Sequence, residues 1–407
     1  MGKPNVVQHL MRFKYSVKIL FIILMGFLSV VVVNGQITKL PYADTTQGNY
    51  FGTSVALDGN WAIVGASGQN SCDTGSGAAY IYELSDSTGY WRESAQLTPD
   101  DCQPGLAFGR KVALEGRIAL VSGSREFFGN ERPNAVYVYE RNDDEQWLLT
   151  ARLKSPSTDQ REGAFGEDIE IAHDKILITT SGDPTPENER DGTVYLFQKD
   201  QHTWTLYDRL EASGTTARGI FGGNATLFDN TLAVASSSYF SRRSGSVFLF
   251  QLSEDGAWSE IAQLGGIQGF FISLDLYDKE LIVGQSEAGP RESGQATLFA
   301  QDSTGAWQKT ATLLPPTPYR KGAFGTEVAL YKDRALVVGY DEQLRLNYNV
   351  DRVVYNYRRQ NGQWQYRGIL DIGNASFGSA IDLNGNTALI GAASGSEPGN
   401  AYVIIIP

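Results

Sequence analysis

Three histidines occur in the 407 residues: His9, His173 and His202. Histidine is the commonest general base, so its neighbours decide whether acid–base chemistry is encoded. His173 in "IAHDKI" and His202 in "DQHTW" each fall in a turn between apolar runs, with no partner beside them. No Gly-x-Ser-x-Gly, His-Glu-x-x-His or phosphate-loop pattern is present. Glu167 and Asp168 are adjacent in an alternating run, where neighbours point to opposite faces, so they make no catalytic pair. These types and spacings yield no catalytic residue, no cofactor and no metal site. Cys72 and Cys102 are the only cysteines; lacking histidine partners or metal-type spacing, they suit a disulfide in an oxidising compartment.

A second chemistry is recognition. Arg and aromatic side chains dominate binding hot spots, and four segments concentrate them. "SGSREFFGNERPN" has Arg125, Phe127, Phe128 and Arg132. "SSSYFSRRSG" has Tyr239, Phe240, Arg242 and Arg243. "LPPTPYRKGA" has Tyr319 and Arg320, and "YDEQLRLNYNVD" has Tyr340, Arg345 and Tyr348.

What positions these segments is a repeat. Phe recurs at 51, 108, 165, 221, 270, 324 and 377, each time opening an alternating run such as "FGTSVAL", "FGRKVAL" or "FGTEVAL". A short turn ("DGN", "EGR", "FDN", "NGN") and a second apolar run ("WAIVGA", "IALVSG", "TALIGA") follow. Alternation around Asp-Gly or Asn-Gly marks a β-hairpin. A third run alternates aromatic and β-branched residues ("AAYIYE", "NAVYVYE", "GSVFLFQ"), as strands do. A fourth starts at a Trp, at 91, 147, 204, 258, 307 and 364, and ends in Leu. The seventh unit stops after its third run, while "QITKLPYAD" at residues 36–44 matches the fourth-run ends "ESAQLTPD" and "LTARLKSPS".

The expected fold is therefore all-β: a seven-bladed β-propeller of four-stranded antiparallel blades, starting near residues 50, 107, 164, 220, 269, 323 and 376. The N-terminal strand in 36–44 completes the last blade and closes the ring. Single blades are too small to bury a core, and stacking supplies it. Closure protects edges that would otherwise template aggregation. The chain ends on a blade strand, so no further sorting or anchoring domain is expected.

The "FG…VGAS" pattern of the first unit and its weaker copies resemble FG-GAP repeats, which build the seven-bladed head of integrin α chains and occur in bacterial secreted proteins. The resemblance covers 36–407 and implies extracellular binding or adhesion. Integrin-type blades often carry an Asp-x-Asp-x-Asp-Gly calcium loop between the first two strands. The short turns here cannot supply the six to eight oxygens that Ca²⁺ takes, so calcium is not carried over.

Residues 1–35 precede the propeller. Lys3, Arg12, Lys14 and Lys18 come first, Ile19–Val33 is apolar except for Gly26 and Ser29, and Val33-Asn34-Gly35 suits a cleavage pocket. This has the pattern of a secretory signal peptide; the apolar run is shorter than the ~20 residues of a spanning helix. Removing four cations and no acid moves the net charge from −12 to −16. Such a chain repels nucleic-acid phosphates and suits a soluble, secreted monomer without a membrane span after cleavage.

In a four-stranded meander the loops between strands two and three and the crossings between blades share one face. That face holds the Arg and aromatic segments and both cysteines. Loops on a rigid scaffold carry function, so the expectation is a secreted or cell-surface adhesion module for a protein or glycan ligand. The alternative is a polysaccharide lyase, since lyases can work with Tyr, Arg and Lys. Mass spectrometry of exported protein should find the N-terminus at Gln36; a mature chain retaining Ile19–Val33 would show an anchor instead.

Overall fold

The computed structural model divides into two units, Met1–Val30 and Val31–Pro407. It describes residues 36–123, 135–156, 165–180, 192–213, 219–238, 245–269, 272–346 and 349–407, all in the second unit. The signal segment thus lies outside the described residues.

The described residues form seven four-stranded sheets, six of them ordered in sequence from inner to outer strand. All ladders are antiparallel; the first blade runs Phe51–Asp58, Trp61–Ala66, Ala78–Leu84, Trp91–Leu97. In the last blade the order is Ile381–Asn384, Thr387–Ala392, Asn400–Ile405 and then Gln36–Lys39. Gln36 pairs with Ile405 and Lys39 with Tyr402, so the N-terminal strand closes the ring as the repeat implied.

The middle strands read as nearly continuous apolar runs because both of their faces are buried, like strands of a parallel sheet. In blade one, Val64, Tyr80 and Tyr82 pack toward Leu389 and Val403 of blade seven. The alternate residues Ile63, Ala79 and Ile81 pack toward Phe108, Val112 and Tyr137 of blade two. One strand thus serves two interfaces.

The described repeat phenylalanines (Phe51, Phe108, Phe165, Phe221, Phe324 and Phe377) are all essentially solvent-free. Each meets aromatic residues of its own third strand. Phe108 lies edge-on to Tyr137 and Tyr139, at 5.0 and 6.3 Å, and Phe221 to Phe248 and Phe250, at 5.7 and 6.3 Å. Two-residue spacing puts that aromatic pair on one face of the strand. The outer-strand tryptophans reach the preceding blade: Trp147 lies 6.1 Å from Trp61, and the Trp258 indole N–H donates to the Tyr207 hydroxyl.

In blades two, three, six and seven the inner strand begins four residues after its Phe, at Val112, Ile169, Val328 and Ile381. Alternation from Phe onward suggests an earlier start. The reason is the Gly after Phe. Gly109 adopts φ +90, which kinks the chain out of the ladder. Phe108 N–H then donates to Ser76 O (2.9 Å) in the preceding blade, and Gly109 N–H to Ser122 O (3.0 Å) in its own.

The second repeat glycine sits across that junction. A Cβ on Gly65 would lie 1.9 Å from Gly109 O, and one on Gly109 would lie 2.2 Å from Ala78 O. The same approach joins Gly391 to Gly52 and Gly284 to Gly325. Gly65→Ala should therefore lower stability by about 3 kcal/mol or more, because backbone must shift to admit one methyl. Gly265, in the outer strand of blade four, has open space around it; Gly265→Ala should unfold at the parent temperature. Equal melting temperatures for both variants in differential scanning calorimetry would remove this account.

Candidate functional site

The two faces differ in loop length. Inner and second strands are joined by two residues in every blade, and third and outer strands by two to six. On the opposite face, second and third strands outside blade six are separated by six to twelve residues, and the crossings between blades add further chain.

Cross-links fix part of this face. Cys72, in the loop of blade one, is disulfide-bonded to Cys102, in the crossing to blade two, with a sequence separation of 30. The crossing is held again by Arg152, which pairs with Asp100 and lies 3.1 Å from Asp101. Tyr137 donates its hydroxyl to Asp101 at 2.6 Å.

Of the candidate binding residues, Tyr319 is half-buried and Arg320 exposed, both on the crossing from blade five to blade six. Arg125, Phe127, Phe128, Arg132, Tyr239, Phe240, Arg242, Arg243 and Tyr348 lie outside the described residues, as does the Arg345 side chain. Blade six corrects one expectation. "YDEQLRLNYNVD" is not a plain loop: its second and third strands extend as Arg334–Leu346 and Asn349–Gln360, pairing out to Leu346 and Asn349. The ladder runs past the blade body with a register shift between Asp341 and Leu346. Tyr340 therefore stands on a strand, with the Arg352 guanidinium 5.9 Å from its ring.

His173 does occupy a turn on the short-loop face, yet it has neighbours that its sequence context hides. Its two ring nitrogens lie 3.9 Å from Glu115 and 3.9 Å from Asp229, on the flanking blades. His173 and Asp229 are largely exposed and Glu115 is half-buried, so these contacts contribute little.

Sequence reasoning missed the axial channel. Its volume is about 320 Å³, and the inner strands line it. Residues four and six of the Phe-led runs line it, except Ser273 and Ala329. They bring together Asp168, Glu170, Asp275, Glu327 and Asp382, with Lys111 as the cation. Several of these side chains tie one blade to the next. Asp382 accepts from Leu57 N–H at 2.6 Å, Ser54 from Val112 N–H at 3.1 Å, and Asp168 from Ala225 N–H at 3.0 Å. Asn224 accepts from Leu274 N–H at 3.0 Å and Asp275 from Leu330 N–H at 2.6 Å. An innermost strand is a sheet edge with free N–H groups, and these oxygens satisfy them. Among the described residues, no group of three or more His, Cys, Asp or Glu is placed to hold a metal ion.

Enclosure by the channel wall raises the pKa values of Glu170, Asp275, Glu327 and Asp382. Burial lifts Asp275 to about 8, with the Asp382 charge adding to it. Burial lifts Glu327 to about 7 against the opposing pull of Lys111 and Arg352, and Asp382 to about 6 against its two backbone N–H bonds. Glu170 is raised by burial and by Asp168, Asp275 and Asp382. Burial would lower Lys111, but Asp168, 2.9 Å away, and Glu327 outweigh it and raise that ammonium.

Comparison with known proteins gives three results. Residues 35–82 and 91–139 match the family model of the FG-GAP repeat. No curated protein matches the chain. The crystal structure of a candidate 6-phosphogluconolactonase from Bacteroides uniformis ATCC 8492 is similar at 14% identity and a TM-score of 0.49, over 79% of this chain and 85% of that one.

The channel makes a pH prediction. A carboxyl whose pKa is raised on folding holds its proton in the native state after the unfolded chain has released it, near pH 4. Folding then binds protons, and stability falls as pH rises from about 4 to about 8. Melting at pH 8.5 should lie at least ~5 °C below melting at pH 5. Asp275→Asn keeps an acceptor for Leu330 N–H and removes the ionisation, so it should flatten the slope. A melting temperature that rises across this range would contradict the assignment.

Proposed function

We propose that this chain is an extracellular binding module of the adhesion type, which engages a protein or surface-glycan ligand through the long-loop face of its propeller. The asymmetry between the faces is the observation that carries this reading. Turns of two to six residues on one side leave little surface that could vary. The longer segments on the other are anchored by the Cys72–Cys102 bond and the Arg152 pairs. A rigid frame presenting long loops places contact residues at low entropic cost.

The FG-GAP matches and the disulfide are compatible with life outside the cell. Residues 1–35 act in this reading as the export signal and residues 36–407 as the mature monomer. Nucleic acid is not a partner of so acidic a chain, and neither a cofactor nor a calcium ion is required. Arg125, Phe127, Phe128, Arg132, Tyr239, Phe240, Arg242 and Arg243 supply the anchors from the loops of blades two and four. Tyr319, Arg320, Tyr340, Arg345 and Tyr348 supply them from the side of blade six.

The mature protein, immobilised, should retain material from a cell-surface extract or a glycan panel. Phe127 and Phe128 changed together to Ala, or Tyr239 with Arg242, should weaken that binding at least ~10-fold with unchanged melting. Changing His173 and His202 on the short-turn face should leave it intact. Binding lost through the His pair and kept in the loop variants would move the site to the other face. New unsaturated ends on an acidic polysaccharide would turn the assignment to a lyase.

A further inference from the structure

On the short-turn face the axial channel ends in a rim made by the eighth residue of each Phe-led run. Alternation sets that residue on the same side of the inner strand as residues four and six. The hydrogen bonds agree. Asp58 accepts from Gly116 N–H at 2.6 Å, and Glu115 accepts from His173 N–H, each reaching the following blade. Phe228, Tyr277 and Tyr331 hold the same place in blades four, five and six. We infer that this rim binds a small alkylammonium ion, held against the three aromatic rings by cation–π attraction and drawn there by the surrounding carboxylates. The site lies opposite the long loops and does not depend on the reading above.

The aromatic arc replaces the acceptor pattern in three consecutive blades. Phe228 and Tyr277 lie 5.0 Å apart between ring centroids, and Tyr277 and Tyr331 lie 4.6 Å apart. Interplanar angles of 53° and 50° make this a tilted run of rings across two blade junctions. All three residues are half-buried, so the run keeps surface toward solvent. One cation of the chain already rests on it: the Lys332 ammonium lies 5.2 Å from the Tyr331 centroid. That is inside the ~6 Å reach of a cation–π contact. Among the described residues, no cation is placed over Phe228 or Tyr277.

Charge selects the sign of the occupant. Asp229 and Asp278 directly follow Phe228 and Tyr277, and both are exposed. Burial and Tyr331 raise the Tyr277 hydroxyl pKa, and the Asp278 and Asp229 charges add to that rise, so both acids act at the ring. Asp58 and Glu115 supply two more carboxylates. Lys279 and Lys332 oppose these four, with the exposed His173 between Glu115 and Asp229. The other charges at these turns, Arg117, Asp174 and Asp333, are taken up in ion pairs. An anion is repelled by such a rim, and a neutral solute gains nothing from its charge. A divalent ion needs a cage of oxygens, and no group of three or more His, Cys, Asp or Glu among the described residues provides one. An alkylammonium suits both parts of the rim, with charge for the carboxylates and alkyl surface for the rings.

Calorimetric titration of the protein with tetramethylammonium, choline and neohexanol, the uncharged carbon isostere of choline, tests this. One of the two cations should bind with a measurable Kd, and neohexanol should bind at least ~10-fold more weakly than choline. Phe228→Ala with Tyr277→Ala should weaken the cation at least ~10-fold, while Tyr277→Phe, which keeps the ring, should retain it. Glu115→Gln keeps an acceptor for His173 N–H and removes one charge; at an unchanged melting temperature it should weaken the cation about threefold. Lys332→Gln removes the tethered competitor and should tighten it. Binding of neither cation, neohexanol as tight as choline, or weaker binding in Lys332→Gln would overturn the inference. So would an affinity unchanged in Glu115→Gln, which decides the matter if the double alanine variant does not fold.

Discussion

Two backbones touch where consecutive blades meet, and the rest of the propeller is arranged around that contact. Gly65 of blade one stands so close to Gly109 of blade two that a single methyl would overlap the carbonyl oxygen. Gly77, at the start of the third strand, forms an isolated parallel bridge with Phe108. The Phe-Gly dipeptide is thus wedged between two glycines of the blade before it. Its N–H groups bond one to the preceding blade and one to its own. The left-handed turn at Gly109 then throws the inner strand toward the axis.

Variation in this contact explains why the repeat fades along the chain. Where blade two offers Ser122 instead of glycine, a Cβ on Gly166 would meet a Val136 methyl at 3.1 Å and the Ser122 Cβ at 3.2 Å, a tight side-chain contact rather than a backbone clash. At blade seven the neighbour of Gly378 is a Val338 methyl, at 3.0 Å. The junctions opened by a larger residue survive because the aromatic cluster behind them is kept: Phe165 still meets Tyr195 and Phe197, and Phe377 still meets Tyr402. Burial of such rings supplies the larger stabilisation, and the glycine contact sets the spacing.

The same geometry generates both candidate surfaces. Seven inner strands around an axis leave seven rows of edge N–H groups without ladder partners, and short acceptor side chains fill that need. At Asp275 and Asp382 enclosure also raises the pKa of the accepting carboxyl. The long-loop face is free of this constraint. Its segments need only return to the next strand, so their length and chemistry can serve a ligand.

The blade plan was legible in the amino-acid order alone. A period of 49 to 57 residues, turns between alternating runs and a displaced fourth strand at 36–44 each record a contact between near neighbours or a whole missing element. The Cys72–Cys102 bond was legible too, because two loops of one blade's length emerge on one face. The channel was not. Asp168, Glu170, Asp275, Glu327 and Asp382 sit on four different blades, and each looks like a solvated strand residue until the ring closes. The signal existed at the fourth and sixth residues of most Phe-led runs, but reading it requires knowing which face of the strand turns inward. The extended hairpin of blade six and the aromatic arc at the channel rim were likewise decided by tertiary structure. The hairpin depends on cross-strand pairing, and the arc on bringing Phe228, Tyr277 and Tyr331 together from three blades. Sequence periodicity fixes what recurs within a blade; distances between blades are set only when all seven pack around one axis.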